Sequence, residues 1–122
     1  MKTRNFILAL TLMVSGTVLY GQTMEVNTDK SSLEWHGKKI GGKHNGFIQL
    51  KSGSFEMEGA QIMAGSFVVD MTTITNSDLK DEGRNQRLVG HLKSDDFFGV
   101  ESFPTASFKV VESTKFENGK AT

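Results

Sequence analysis

The chain has 122 residues, with 14 Lys and Arg balanced by 14 Asp and Glu, no cysteine, one proline and 13 glycines. That length holds one domain around one core. A formal charge of zero without long basic runs gives no footprint for nucleic acid or for an anionic membrane surface, and the lack of cysteine removes both disulfide staples and thiolate metal ligands.

The first element is a targeting segment. Met1 to Asn5 carries two basic residues, and Phe6 to Leu19 is apolar apart from small hydroxyl residues and Gly16. This reads as a cleaved signal peptide over 1–22, because a spanning helix needs roughly 20 apolar residues. No cysteine follows the apolar stretch, so a lipoprotein anchor is chemically impossible. Removal of 1–22 leaves twelve basic and fourteen acidic residues and no integral membrane segment. The expected location is periplasmic or secreted.

From there to Ile74 the sequence alternates with period two, the mark of half-buried antiparallel strands. Strands are expected over 24–28, 32–38, 46–52, 54–63 and 65–74, with a sixth over 104–116. Leu33 and Trp35 share a face, as do Ile48 with Leu50, Phe55 with Met57, and Phe67 with Val69 and Met71. Asp29-Lys30-Ser31, Lys51-Ser52-Gly53-Ser54 and Glu58-Gly59-Ala60 supply turn residues between them. Alternation stops between Ile74 and Phe103. There Asn76, Ser77 and Asp78 offer a helix cap, and Leu88, Val89 and Leu92 recur at helical spacing, so one or two short helices are expected near 77–94. Phe97 and Phe98 are adjacent and, if extended, would point apart, one plugging the end of a barrel and the other bracing the crossing. Near the end, Asn118-Gly119 is a strong hairpin signal with only Lys120, Ala121 and Thr122 after it.

Chemistry is sparse. His36, His44 and His91 share no metal-ligand spacing, and hydrogen bonding at strand ends is the simpler role for them. The acid pairs Glu56 with Glu58 and Asp95 with Asp96 read as a wet strand face and a turn cap. No nucleophile elbow, phosphate loop or dinucleotide fingerprint occurs. The inward set Leu33, Trp35, Ile48, Leu50, Phe67, Val69, Met71 and Phe108 serves equally well as core packing or as the lining of a ligand channel.

One segment is more specific. His91-Leu92-Lys93-Ser94-Asp95-Asp96-Phe97-Phe98-Gly99-Val100, followed by Phe103-Pro104 and Phe108, resembles the signature of the YceI-like, polyisoprenoid-binding family. Trp35-His36-Gly37, His44-Asn45-Gly46 and Gly65-Ser66-Phe67-Val68-Val69-Asp70-Met71 agree with it. Gly99 departs from the usual acidic residue, and Arg87-Leu88-Val89-Gly90-His91 departs from a more familiar Arg-Asp-x-His. The resemblance covers 23–122 and implies an all-β, antiparallel lipocalin-like β-barrel, open or incomplete here because the family's C-terminal closing strands are not in the sequence.

The function so implied is an exported carrier, without catalysis or cofactor, of an isoprenoid lipid or quinone, to which a homodimer is compatible. The resemblance turns the inward set towards ligand lining, with Lys38, Lys39, His44 and Lys93 as candidates for a polar head. Competing readings are an enzyme acting on an isoprenoid-type substrate, and a structural or stress-response barrel filled by its own side chains. The signal-peptide reading makes a direct prediction. N-terminal sequencing of the exported protein should begin near Gln22 or Thr23, and intact Met1 on soluble cytoplasmic protein would overturn it.

Overall fold

The computed structural model describes residues 22–122, and the expected signal peptide lies outside them except for Gln22. In chain order the elements are β1 (Gln22–Glu25), β2 (Leu33–Lys39), β3 (Gly42–Glu58), β4 (Gln61–Asp70), α1 (Glu82–Lys93) and β5 (Thr105–Val110). β1 and β2 both pair antiparallel with β3, placing Met24 opposite Phe55 and Leu33 opposite Ile48. The strand order continues from β3 to β4 and then β5. The expected all-β, antiparallel class with a short helical crossing is what the chain adopts.

The longest strand corrects the sequence reading. Two strands separated by a turn at Lys51 to Ser54 were expected, yet β3 runs unbroken for 17 residues. The cause is a change of buried parity. Ile48 is buried and Leu50 half-buried in the first half, whereas Phe55 and Met57 are buried in the second. An alternating pattern that slips by one residue looks like a turn in sequence, although a strand can absorb the slip through a local irregularity. The hairpin falls later, at Gly59 with φ +57°, so the expected strand 54–63 is split there. The turn between β2 and β3 is at Ile40 and Gly41, with Gly41 at φ +82°.

The described residues form two compact units, each fed by part of β3, β4 and β5. One comprises 22–31, 52–67 and 107–122. Its core is Met24, Phe55 and Met57, against which Val26, Ile62, Phe67 and Phe116 pack. Phe67 stacks on Phe108 with ring centroids 4.8 Å apart. The strand expected over 104–116 ends at Val110, and Lys115 makes an isolated bridge to Gln61. Asn118 and Gly119 both have positive φ, 53° and 78°, as a type I′ turn requires. The three residues after them do return: Lys120 pairs with Glu117, and the Thr114 amide donates to the Thr122 carbonyl at 2.8 Å.

The other unit comprises 32–51 and 68–106. Its helix begins at Glu82, later than the Asn76 to Asp78 cap expected from sequence. Asp81 is the N-cap, accepting from the Arg84 amide at 2.8 Å, with Glu82 in the first turn and His91 and Lys93 in the last, matching the helix dipole. Apart from the terminal Lys93, its less exposed positions are Asn85, Leu88, Val89 and Leu92, the i, i+3, i+4, i+7 stripe of an amphipathic helix. Phe97 and Phe98 contradict the expected plug, being 57% and 47% exposed. Residues 94–103 are successive turns rather than extended chain: the amides of Phe97 and Gly99 both donate to the Ser94 carbonyl, and that of Phe103 donates to Gly99. It is Val100 that is buried. Gly99 has φ +52°, a conformation that glycine, Asn and Asp tolerate best, which reconciles it with the acidic residue usual in the family signature.

Two glycines in this unit should behave oppositely. A Cβ at Gly46 would sit 1.9 Å from the Thr75 carbonyl oxygen and 2.7 Å from Trp35 Nε1, whereas one at Gly90 would meet nothing within 4 Å. Chemical denaturation should therefore show Gly46→Ala destabilised by roughly 2–4 kcal/mol through overpacking and a broken hydrogen bond. Gly90→Ala should gain about 0.5–1 kcal/mol from helix propensity.

Candidate ligand-binding site

In the unit of 32–51 and 68–106, Ile48, Val69, Met71, Ile74 and Val100 are each no more than 8% exposed and form one cluster. Leu33, Trp35, Leu50 and Leu92 pack against it, half-buried. Six of the eight residues singled out from sequence are therefore brought together here: Leu33, Trp35, Ile48, Leu50, Val69 and Met71. Phe67 and Phe108 belong to the other unit and stack on each other, with Phe108 46% exposed. Sequence reasoning missed Ile74, Leu92 and Val100. Val100 carried a signal, since it follows a glycine inside the signature.

The cluster is apolar throughout, so what it can do chemically is hold hydrocarbon by removing it from water, without directional bonds. A separate shallow concavity of about 160 Å³ beside Phe55 and Gly65 is smaller than the ~300–1,000 Å³ of ordinary ligand sites and is half polar. It is not the candidate.

One wall of the cluster is set by a chain segment that leaves a short 3-10 turn, Met71–Thr73, and then runs without regular structure. Residues 73–78 run beside the start of β3, where the Thr75 amide donates to Phe47 at 2.9 Å, the Ser77 amide donates to Asn45 at 2.9 Å, and the Gln49 amide donates to the Thr73 hydroxyl at 2.8 Å. Trp35 Nε1 donates to the Thr75 carbonyl at 2.7 Å across Gly46. That bond fixes the indole, a large apolar surface with one polar edge that needs a partner when it leaves water.

The end of the segment is held by a polar network that sequence reasoning did not assemble. Asp78 Oδ1 accepts from the Asn45 amide at 2.9 Å and from Asn76 Nδ2 at 2.7 Å, while Oδ2 lies 2.8 Å from His44 Nδ1. An ionised carboxylate can only accept, so His44 carries its proton on Nδ1. Asn85 on α1 donates to the carbonyls of Asn76 and Leu79 at 2.9 and 3.0 Å, joining the helix to the segment. Asn76 is 8% exposed with its amide group satisfied on both sides. His44, a sequence candidate for a polar head, is thus committed to Asp78. Lys38 and Lys39 are exposed and Lys93 is half-buried. The remaining histidines lie at the surface, His36 near Glu34 at 3.6 Å and His91 near Asp96 at 3.4 Å, with Phe97 edge-on to the His91 ring. Among the described residues no three His, Asp or Glu side chains gather as a metal site would need.

The YceI-like domain matches residues 24–122. The chain belongs to the YceI-like family. No curated protein and no solved structure matches it. Membership makes the apolar cluster of this YceI-like chain the place to look for a lipid, because the family is one of polyisoprenoid-binding proteins, and the lipocalin-like class agrees with the antiparallel strands. Among the described residues no helix is long and apolar enough to cross a membrane.

The network also makes a pH prediction. The Asn45 amide first, and then the His44 hydrogen bond, hold the Asp78 carboxyl well below the usual carboxylate range against the opposing effect of burial. A carboxyl depressed on folding stabilises the native state above its unfolded pKa of about 4, and that contribution is lost as pH falls towards the folded value. Asp78→Asn mimics the protonated form. Its stability deficit in urea titrations should be constant from neutral pH down to about 5 and shrink progressively below about 4. A deficit unchanged down to strongly acidic pH would show that the charge is not what the network uses.

Proposed function

We propose that this YceI-like chain is an exported, periplasmic or secreted binding protein that carries an isoprenoid lipid, either a polyprenyl compound or an isoprenoid quinone, and performs no reaction on it. The observation that carries this reading is the apolar cluster of Leu33, Trp35, Ile48, Leu50, Val69 and Met71, while among the described residues no charged side chain is buried. Each methylene or methyl group transferred from water is worth about 0.8 kcal/mol, so a few five-carbon units supply several kilocalories without a hydrogen bond. Such a chain is nearly insoluble when free, and a protein that shields it solves the transport problem.

Residues 49 and 50 give the sharpest test, since they are neighbours on β3 and alternate: Leu50 packs against the cluster, whereas Gln49 is exposed. Leu50→Asp should lower retention of a fluorescent polyprenyl probe by about a hundredfold or more, because the carboxylate would meet hydrocarbon unpaired. Gln49→Asp should bind as the parent does. Equal retention by both proteins, each shown folded by circular dichroism, would remove the cluster as the lipid site.

A further inference from the structure

The hairpin joining β2 and β3 carries three lysines within six residues, 38–43, and this local cluster corrects the expectation that no basic patch suits an anionic membrane surface. Register places Lys38 directly opposite Lys43 and Lys39 opposite Gly42, so three lysines share one tip of six residues. Like charges opposite one another in an antiparallel pair destabilise it, and nothing in the hairpin offsets them. Among the described residues none of the three lysines makes an ion pair. The nearest acidic residue on these strands, Glu34, lies 3.6 Å from His36 and accepts from Asn45 Nδ2 at 3.3 Å.

Between the lysines stands Ile40, with a relative exposure of 103%, touching none of its surroundings more than an isolated residue would. Gly41 at φ +82° completes the turn, and Gly42 opens β3, neither adding bulk. An unpaired cationic collar around a bare aliphatic side chain, projecting at the end of a two-stranded ribbon, matches one surface in both parts. Phosphate headgroups complement the collar, and the acyl boundary beneath them complements the isoleucine.

We infer that the tip Lys38 to Lys43 docks this protein on anionic phospholipid membranes, with Ile40 entering the headgroup boundary and Lys38, Lys39 and Lys43 on the phosphates. The docking is independent of what the apolar cluster holds. Attraction to an anionic surface is worth about fivefold per lysine, so three lysines give roughly a hundredfold. Burial of the Ile40 side chain adds about another ten- to a hundredfold. The product is of the order of a single acyl anchor, which gives marginal and reversible binding. A carrier that must reach a bilayer and leave it again needs an attachment of that strength.

Because the chain has no cysteine, Ile40→Cys provides one unique site for an environment-sensitive fluorophore, and Glu117→Cys on the exposed C-terminal turn provides a control. The full chain is mixed with phosphatidylcholine vesicles with and without phosphatidylglycerol. The label at 40 should shift to the blue and brighten only with phosphatidylglycerol, and the label at 117 should not change. Combining Lys38→Gln, Lys39→Gln and Lys43→Gln should abolish the shift at 40 by weakening binding about a hundredfold, and added salt should act in the same direction. Vesicle binding with no change at position 40 would place the contact elsewhere in the chain and overturn the inference. A shift that survives the triple substitution would overturn it too, as would one produced equally by RNA, which would make the tip a general polyanion patch.

Discussion

The crossing of the Trp35 indole over Gly46 to the Thr75 carbonyl is the contact on which the apolar cluster depends. Only a residue without Cβ lets the 73–78 segment come this close to β3, since a methyl group there would fall within 2 Å of the carbonyl oxygen. With the segment in place, Ile74 becomes the most buried apolar residue of the cluster, at 3% exposure, and Thr73 and Thr75 take up the hydrogen bonds of β3's outer edge. The Asp78 network then closes the segment's end, and Asn85 extends the hold to α1. A largely irregular loop is in this way held beside β3 by backbone bonds together with side-chain acceptors and donors.

The division of labour that follows is clear in chemical terms. Polar contacts are spent on positioning backbone, and the surface they position is hydrocarbon. Such a surface offers an apolar ligand contact without directional bonds, while the Asp78–His44 pair is engaged in holding the fold. The hairpin tip adds a complementary property, a weak affinity for charged lipid surfaces at a point where the strand ribbon projects.

Local signals carried much of this into the sequence. The period-two alternation gave β2 nearly to the residue, and Gly59 and Asn118-Gly119 turn where glycine and asparagine with positive φ are needed. The signature around His91 to Phe108 gave the family. What was illegible is non-local or depends on continuity. A parity change between Leu50 and Phe55 looks the same whether a strand turns or continues. The bonds among His44, Asn45, Asn76 and Asp78 link residues more than 30 apart in sequence, apart from that of Asn76 to its near neighbour, and no pattern in either segment announces the other. Phe97 and Phe98 misled because apolar residues in a tight run of turns need not be inside. Of the expected site, the β2, β3 and β4 members were legible from alternation, whereas Ile74 falls off the parity of Phe67, Val69 and Met71 and Val100 lies beyond the alternating runs.

The central claim is that the apolar cluster serves an isoprenoid. The most direct measurement is organic extraction of the gently purified, exported protein followed by mass spectrometry of the released lipid. The account predicts a polyprenyl compound or isoprenoid quinone, released in a fixed ratio to protein. Recovery of no lipid, or only of the bulk phospholipids of the membrane, would contradict it and leave the cluster as a side-chain-filled core.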